Sequence, residues 1–214
     1  MTRAMQPVQR GRGRPRKSEN SQHGGILQAA SRAFAQGGYD GTNLRRIAAD
    51  AGIDVALIAH HFGSKLDLWK AAVDSLATRL LTAYEDVPAA TTDADVADRV
   101  RYALRHLIRV NSDLPELGLL VSQEMYQAGE RRDYLYERLV RPHHDLLVPL
   151  IREAIAAGVI RQQDPEMLFF LLVTSISTSS ALRPLIARFS EVAGSRERFQ
   201  DALEQSVMAN VLTL

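Results

Sequence analysis

The chain has 214 residues and no cysteine. That absence excludes disulfides, thiol-based redox sensing and any Cys-ligated zinc or iron–sulfur site. It also lacks long apolar runs: the longest, Met167 to Val173, gives way to Thr174, Ser175 and Ser177, far short of the ~18 residues a membrane helix needs. The basic N-terminal stretch has no apolar segment of the secretory kind, so a cytoplasmic protein with no membrane partner is expected. Nucleotide-binding glycine loops are missing too. Gly11, Gly13, Gly37 and Gly38 fit neither GxxxxGK[ST] nor a strand-bounded GxGxxG. The six histidines stand at 23, 60, 61, 106, 143 and 144 without an HExxH. His143 and His144 lie beside Asp145, but helical neighbours diverge, which disfavours a shared metal. No metal, no cofactor and no enzymatic activity are therefore expected.

What is present is a charge asymmetry hidden by a net +1. Residues 1–70 hold 11 basic and 5 acidic side chains, whereas residues 71–214 hold 15 and 20. A polyanion is thus drawn to one end and repelled by the other. The first 20 residues carry Arg3, Arg10, Arg12, Arg14, Arg16 and Lys17 among Gly11, Gly13 and Pro15. Such a composition cannot bury a core and predicts a flexible basic arm. Its Gly-Arg-Pro centre resembles an AT-hook, in which arginines lie in a narrow A·T-rich minor groove; loose phosphate contact is the alternative.

The most specific pattern runs from Thr42 to Lys65, TNLRRIAADAGIDVALIAHHFGSK. Leu44, Ile47, Ala48 and Ala51 recur at i, i+3, i+4 and i+7, one buried helical stripe capped by Thr42. Gly52 follows, where a left-handed residue ends a helix most easily, and Ile53 packs under the turn. Asp54 caps a second helix that turns Ile58 and Phe62 inward and leaves Val55, Ala56, Ala59 and His60 outward, narrow enough for a major groove. Ser64 and Asp67 form a capping box for a third helix, with Lys65 in its first turn. This is a helix-turn-helix. Tyr39 is expected to pack beneath it, after a first helix over residues 21–37 that Gly37-Gly38 stops.

From Ser64 the apolar spacing of Leu66, Trp69, Val73, Leu76 and Leu80 continues to about residue 86, followed by a linker over 87–93. Beyond it no strand alternation occurs. Helices are expected near 94–112, 115–128, 131–157, 165–190 and 196–213, with Pro115 and Pro165 in first turns, Gly158 as a stop, and bends at Pro142 and Pro149. The segment from Pro165 is apolar nearly all round and needs two partners. A stripe of Phe199, Leu203, Val207 and Val211, with Leu172 and Ile176, is the candidate homodimer interface. Polar side chains on otherwise apolar helices mark a candidate effector pocket: His106, Arg109, Glu124, Met125, Tyr126, His143, Ser175 and Thr178. The fold class is all-α, divided into an arm (1–20), a three-helix DNA-binding domain (21–68) and an effector-binding and dimerisation domain (69–214).

The reader and its GYDGTNLRRIAADAGIDVALIAHHFGSKLDLW core resemble the tetracycline-repressor (TetR) family of bacterial regulators. The resemblance covers residues 21–72 well and the rest in helix number and length. It implies phosphate contacts by Thr42 and Lys65 and recognition-helix positions at Val55, Ala56, Leu57, Ala59, His60 and His61; Arg45 or Arg46 can reach the DNA from the preceding helix. The chain departs from the family where Ala59 replaces a common tyrosine. Direct readout then rests on apolar contact with thymine methyls and on one of the two histidines, since neighbours cannot share a face. The expected function is a homodimeric repressor released from a near-palindromic double-stranded DNA operator by a small-molecule effector. The alternatives are an architectural A·T-preferring DNA-binding dimer and a small-molecule carrier with a degenerate reader.

Overall fold

The computed structural model describes residues 17–85 and 94–212. They are helical throughout, in the order α1 (Lys17–Gly41), α2 (Leu44–Asp50), α3 (Val55–Phe62), α4 (Lys65–Thr82), α5 (Val96–Asp113), α6 (Glu116–Glu124), α7 (Glu130–Leu135), a π-helical turn (Tyr136–Val140), α8 (Arg141–Ala156), α9 (Pro165–Ala181), α10 (Arg183–Ile186), a 3₁₀ turn (Glu191–Gly194) and α11 (Arg196–Val211). The β-pairing among the described residues is one isolated antiparallel bridge, Ile160 to Leu212. No helix of these residues is long and apolar enough to cross a membrane.

Local chemistry sets most of the helix ends. Asp54, Asp95, Asp164 and Ser195 each accept a backbone N–H one turn into the helix they precede, which satisfies a donor the helix itself leaves unpaired. Ser64 and Asp67 form the expected reciprocal box. The cap of α2 corrects the sequence reading: Asn43 Oδ1, not Thr42, accepts from the Arg45 N–H at 2.8 Å. Thr42 is buried, and its hydroxyl lies 2.6 Å from the Gly38 carbonyl and 3.1 Å from that of Ala33. Its side chain closes the end of α1 instead of opening α2.

Prolines break the long segments, though not always where expected. The predicted bend at Pro142 is a π turn just before it, which widens the backbone where the proline ring would meet the carbonyl of Arg138. Pro149 is carried inside α8. The expected helix from residue 165 to 190 ends at Ala181, because Pro184 starts a separate turn. The Ser64 helix ends at Thr82 instead of residue 86. The expected arm is shorter than residues 1–20, because α1 already begins at Lys17; residues 1–16 and the linker over 87–93 lie outside the described residues.

One apolar core runs through the molecule. Ile26, Phe34, Ile47 and Ile58 fill the space among α1 to α3 and join Trp69, Leu76 and Leu80 of α4, which continue into Leu107, Leu120, Leu135, Phe169 and Ile176. Helix α4 is therefore shared by both halves. The expected dimer stripe needs correction, since Leu172, Ile176, Phe199 and Val211 are buried within the chain and Leu203 and Val207 pack against the same core. The apolar face left outward is formed by Met167, Phe170 and Leu171 of α9 with Leu185 and Phe189.

Gly38 turns the chain at the end of α1, with φ 67° and ψ 174°. A side chain there is strained, costing ~1–3 kcal/mol, and a Cβ would lie 3.2 Å from Gln123 Oε1. Gly38→Ala is expected to lower unfolding free energy by ~1–3 kcal/mol. Gly24→Ala, in an open helical position, should raise it by ~0.5–1 kcal/mol. Chemical denaturation of both variants checks the pair.

Candidate nucleic-acid interface and effector cavity

The turn between α2 and α3 is a Schellman motif: Gly52 takes φ +67°, its N–H donates to the Ala49 carbonyl at 3.1 Å, and Ile53 N–H donates to the Ala48 carbonyl at 3.0 Å. Asp54 then starts α3, accepting from Ala56 N–H at 2.7 Å. This fixes the rotation of α3. Ile58 is buried, Leu57 and Phe62 are half-buried, and Val55, Ala56, Ala59, His60 and His61 face outward. The His61 ring meets His23 of α1 edge-on at 6.1 Å, and His23 stacks on Phe62 at 4.8 Å. His61 is thus a rim residue with a neighbour on α1, while the His60 ring meets that of His61 itself, at 5.5 Å. Arg45 and Arg46 are exposed on α2. Arg12, Arg14 and Arg16 lie outside the described residues.

Lys65, in the first turn of α4, holds its ammonium 4.5 Å from the Tyr39 ring centre and 3.5 Å from the Asp40 carbonyl. Hydrogen bonding to Ser64 holds the neighbouring Asp67 carboxyl below its usual range, so the box is charged and intact near neutrality. Tyr39 stacks on Phe34 at 6.0 Å and is also met by the Arg131 guanidinium at 4.2 Å. That guanidinium pairs at 2.9 Å with Glu124, a carboxylate only 3% exposed. A chain of contacts therefore leads from α6 and α7 to the residue that flanks the reader.

Behind α6 lies a cavity of about 350 Å³. Its wall combines Leu80 of α4, Asn111 of α5, Leu117 to Tyr126 of α6 and its exit, Leu139 and Val140 of the π turn, His143 of α8, and Phe169 to Thr178 of α9. The π turn thus aims two apolar side chains into the space. At one end Ser177 Oγ lies 2.5 Å from Asn111 Oδ1, and Asn111 Nδ2 donates to the Leu107 carbonyl at 2.8 Å. The His143 ring is buried between Tyr84 and Phe169, with Nε2 3.4 Å from the Tyr84 hydroxyl. Burial pushes the imidazole down to about 4, so it is neutral at pH 7, and the same burial raises the Tyr84 phenol.

Of the eight pocket residues expected from sequence, Met125, Tyr126, His143 and Thr178 stand on this wall. The other four are corrected. Arg109 is exposed, His106 stacks on Tyr102 at 4.5 Å, Glu124 turns to Arg131, and the Ser175 hydroxyl bonds to the Leu172 carbonyl of its own helix. Asn111 and Ser177 were missed, although Asn111 continues the helical stripe of Leu104, Leu107 and Ile108 at i+7, a signal available for the first. Among the described residues no cluster of three or more metal-ligating side chains is present.

Residues 26–72 match the model of the bacterial regulatory proteins of the tetR family. The chain is 29% identical over 151 residues to the HTH-type transcriptional regulatory protein RaaS of Mycobacterium tuberculosis, covering 70% of this chain and 65% of that protein. It is 44% identical over 55 residues to the HTH-type transcriptional repressor Rv3405c of the same organism, spanning 26% and 29% of the two chains. The chain thus spans under two thirds of the length of these relatives. The ketosteroid transcriptional regulator KstR2 of Mycobacterium tuberculosis has the same fold, with a TM-score of 0.68 at 20% identity over 91% of this chain and 97% of the other.

Two outcomes test the geometry. Arg131→Gln strands a buried carboxylate and should cost up to about 3 kcal/mol of stability in denaturant titrations, partly restored by adding Glu124→Gln. Because the folded His143 pKa lies below the ordinary 6.5, its contribution is complete above pH 6.5 and is lost as pH falls toward 4. Acidification from pH 7 to 5 should cost about 2 kcal/mol through this group, and His143→Phe should flatten that part of the stability–pH profile.

Proposed function

We propose that this chain, placed in the tetR family of bacterial regulatory proteins by residues 26–72, is a homodimeric transcriptional repressor released from a twofold DNA operator by a small-molecule effector. The observation that carries the reading is the joining of two sites by one core: an exposed recognition helix, fixed by Gly52 and Asp54, and a preformed cavity in the domain behind it.

In the proposed complex α3 lies in the major groove, as the second helix of such a motif does. Val55, Ala56 and Ala59 offer only methyl contacts, suited to thymine methyls, and His60 supplies the polar base contact. Leu57 is half-buried and acts at the edge of this surface. Lys65 and Arg45 meet phosphates, positioning the reader without selecting sequence. Thr42 has its hydroxyl turned to α1, so its part in phosphate binding falls to its neighbourhood, where the Asn43-capped start of α2 faces outward. The dimer forms through the outward apolar side chains of Met167, Phe170, Leu171, Leu185 and Phe189, which the single chain leaves exposed. Such a role belongs to the cytoplasm.

Selection of bound fragments from random DNA at near-physiological salt tests this reading, and a twofold motif is expected. Enrichment of A·T-rich DNA without a motif would instead support an architectural protein, and no enrichment a carrier. On the selected site His60→Ala should cost ~1–3 kcal/mol and relax sequence preference at one base pair. Lys65→Ala should weaken all sequences alike and lower the salt slope by about one.

A further inference from the structure

The cavity wall says what kind of molecule fits it. Among its 17 residues there is no Asp, Glu, Lys or Arg. Among the charged residues adjacent to the wall in sequence, Glu124 is paired with Arg131, Arg138 with Asp74 and Arg141 with Glu137. An ionised group placed inside would lose its hydration with no counter-charge to replace it, a cost of several kcal/mol. The polar side chains on the wall are all neutral: the Asn111 carboxamide, the Ser177 hydroxyl and the His143 imidazole are buried, and the hydroxyls of Ser122, Tyr126, Thr174 and Thr178 stand on exposed residues. Asn111 and Ser177 bond to each other, and each retains hydrogen-bonding capacity, as does the His143 ring nitrogen turned from Tyr84. Most of the remaining wall is aliphatic, aromatic or thioether, including Leu80, Val121, Met125, Leu139, Phe169 and Phe170.

From this we infer that the effector is an uncharged, mainly apolar molecule carrying a neutral oxygen function, such as a hydroxyl or carbonyl, which the buried polar side chains of the wall, Asn111, Ser177 and His143, receive. At about 350 Å³ the cavity lies at the small end of the ~300–1,000 Å³ range of ligand pockets. An anionic head is accommodated only outside the mouth, beside the exposed Tyr126 and Thr174. The inference rests on the effector reading above and narrows its ligand class.

The test uses the full chain with the neutral fluorophore N-phenyl-1-naphthylamine as reporter and two competitors of one skeleton, 1-decanol and decanoate. At pH 7 decanol should displace the reporter at least tenfold more effectively than decanoate. The gap should narrow toward pH 5, where decanoate becomes protonated. Val121→Trp, which fills the cavity, should weaken reporter binding at least tenfold. Thr174→Trp at the exposed mouth, a position tolerant of folding, should do the same, and circular dichroism verifies that both variants are folded. Equal displacement by decanol and decanoate at pH 7, abolished by either tryptophan, would overturn the uncharged class and leave the effector reading standing. No binding of the reporter or of decanol, or binding indifferent to both tryptophans, would overturn the effector reading itself.

Discussion

A buried carboxylate has to be paired, and the pairing of Glu124 organises the junction between the two halves of this molecule. Left alone in a low-dielectric setting the charge would be costly. Arg131 meets it at 2.9 Å and at the same time covers the Tyr39 ring. Tyr39 follows directly on the Gly38 turn, stacks on Phe34 in the core of the reader and carries the Lys65 ammonium near its ring. Helix α1 of the reader packs directly on α6, and the ion pair with the aromatic ring it grips ties that contact to the residues beside α3. Moving α6 without moving the reader would separate charges or unstack rings, so the two travel together.

That constraint gives the cavity its mechanical meaning. Met125 and Tyr126 follow Glu124 in sequence and stand on the cavity wall, so a ligand that displaces the end of α6 acts on the same few residues that hold Tyr39. Coupling between two sites in a protein typically amounts to ~1–3 kcal/mol, or 5- to 150-fold in affinity. A single charge-assisted contact is of that order. No long chain of adjustments is needed, but the ligand must prefer one position of α6 over the other, since equal affinity for both shifts nothing.

The parts of this architecture legible in the sequence are those fixed within one turn of chain. Gly52, Asp54 and the Ser64–Asp67 box act on backbone groups two to five residues away, and their chemistry was readable as written. Pro142 signalled a distortion, but only the structure distinguishes a π turn from a kink. The inward or outward sense of a helix depends on its neighbours, and there the sequence was ambiguous. In α9, apolar on nearly every side, Leu172 and Ile176 face the core while Phe170 and Leu171 face out, and no periodicity separates them. Thr42 and Asn43 are both acceptable caps; which one serves is decided by the space against Gly37 and Gly38. Glu124 was singled out as a polar residue on an apolar helix, a sound signal of a special environment. Its partner proved to be an arginine on α7 and not a ligand, because a buried charge can be satisfied by protein just as well.

The recognition helix is poor in hydrogen-bonding side chains, and this has a consequence for how affinity and specificity divide. In the proposed complex, methyl contacts from Val55, Ala56 and Ala59 would favour thymine without distinguishing finely among sites, while phosphate contacts by Lys65 and Arg45 would add attraction that is blind to sequence and screened by salt. A reader of this kind draws its discrimination from geometry: two copies at a fixed separation must both find their half-sites, so a small displacement of each reader is felt twice. The weaker the individual base contacts, the more the correct spacing matters. A device that shifts the reader through Tyr39 then needs to disturb only the spacing, not each contact, to release the protein from DNA.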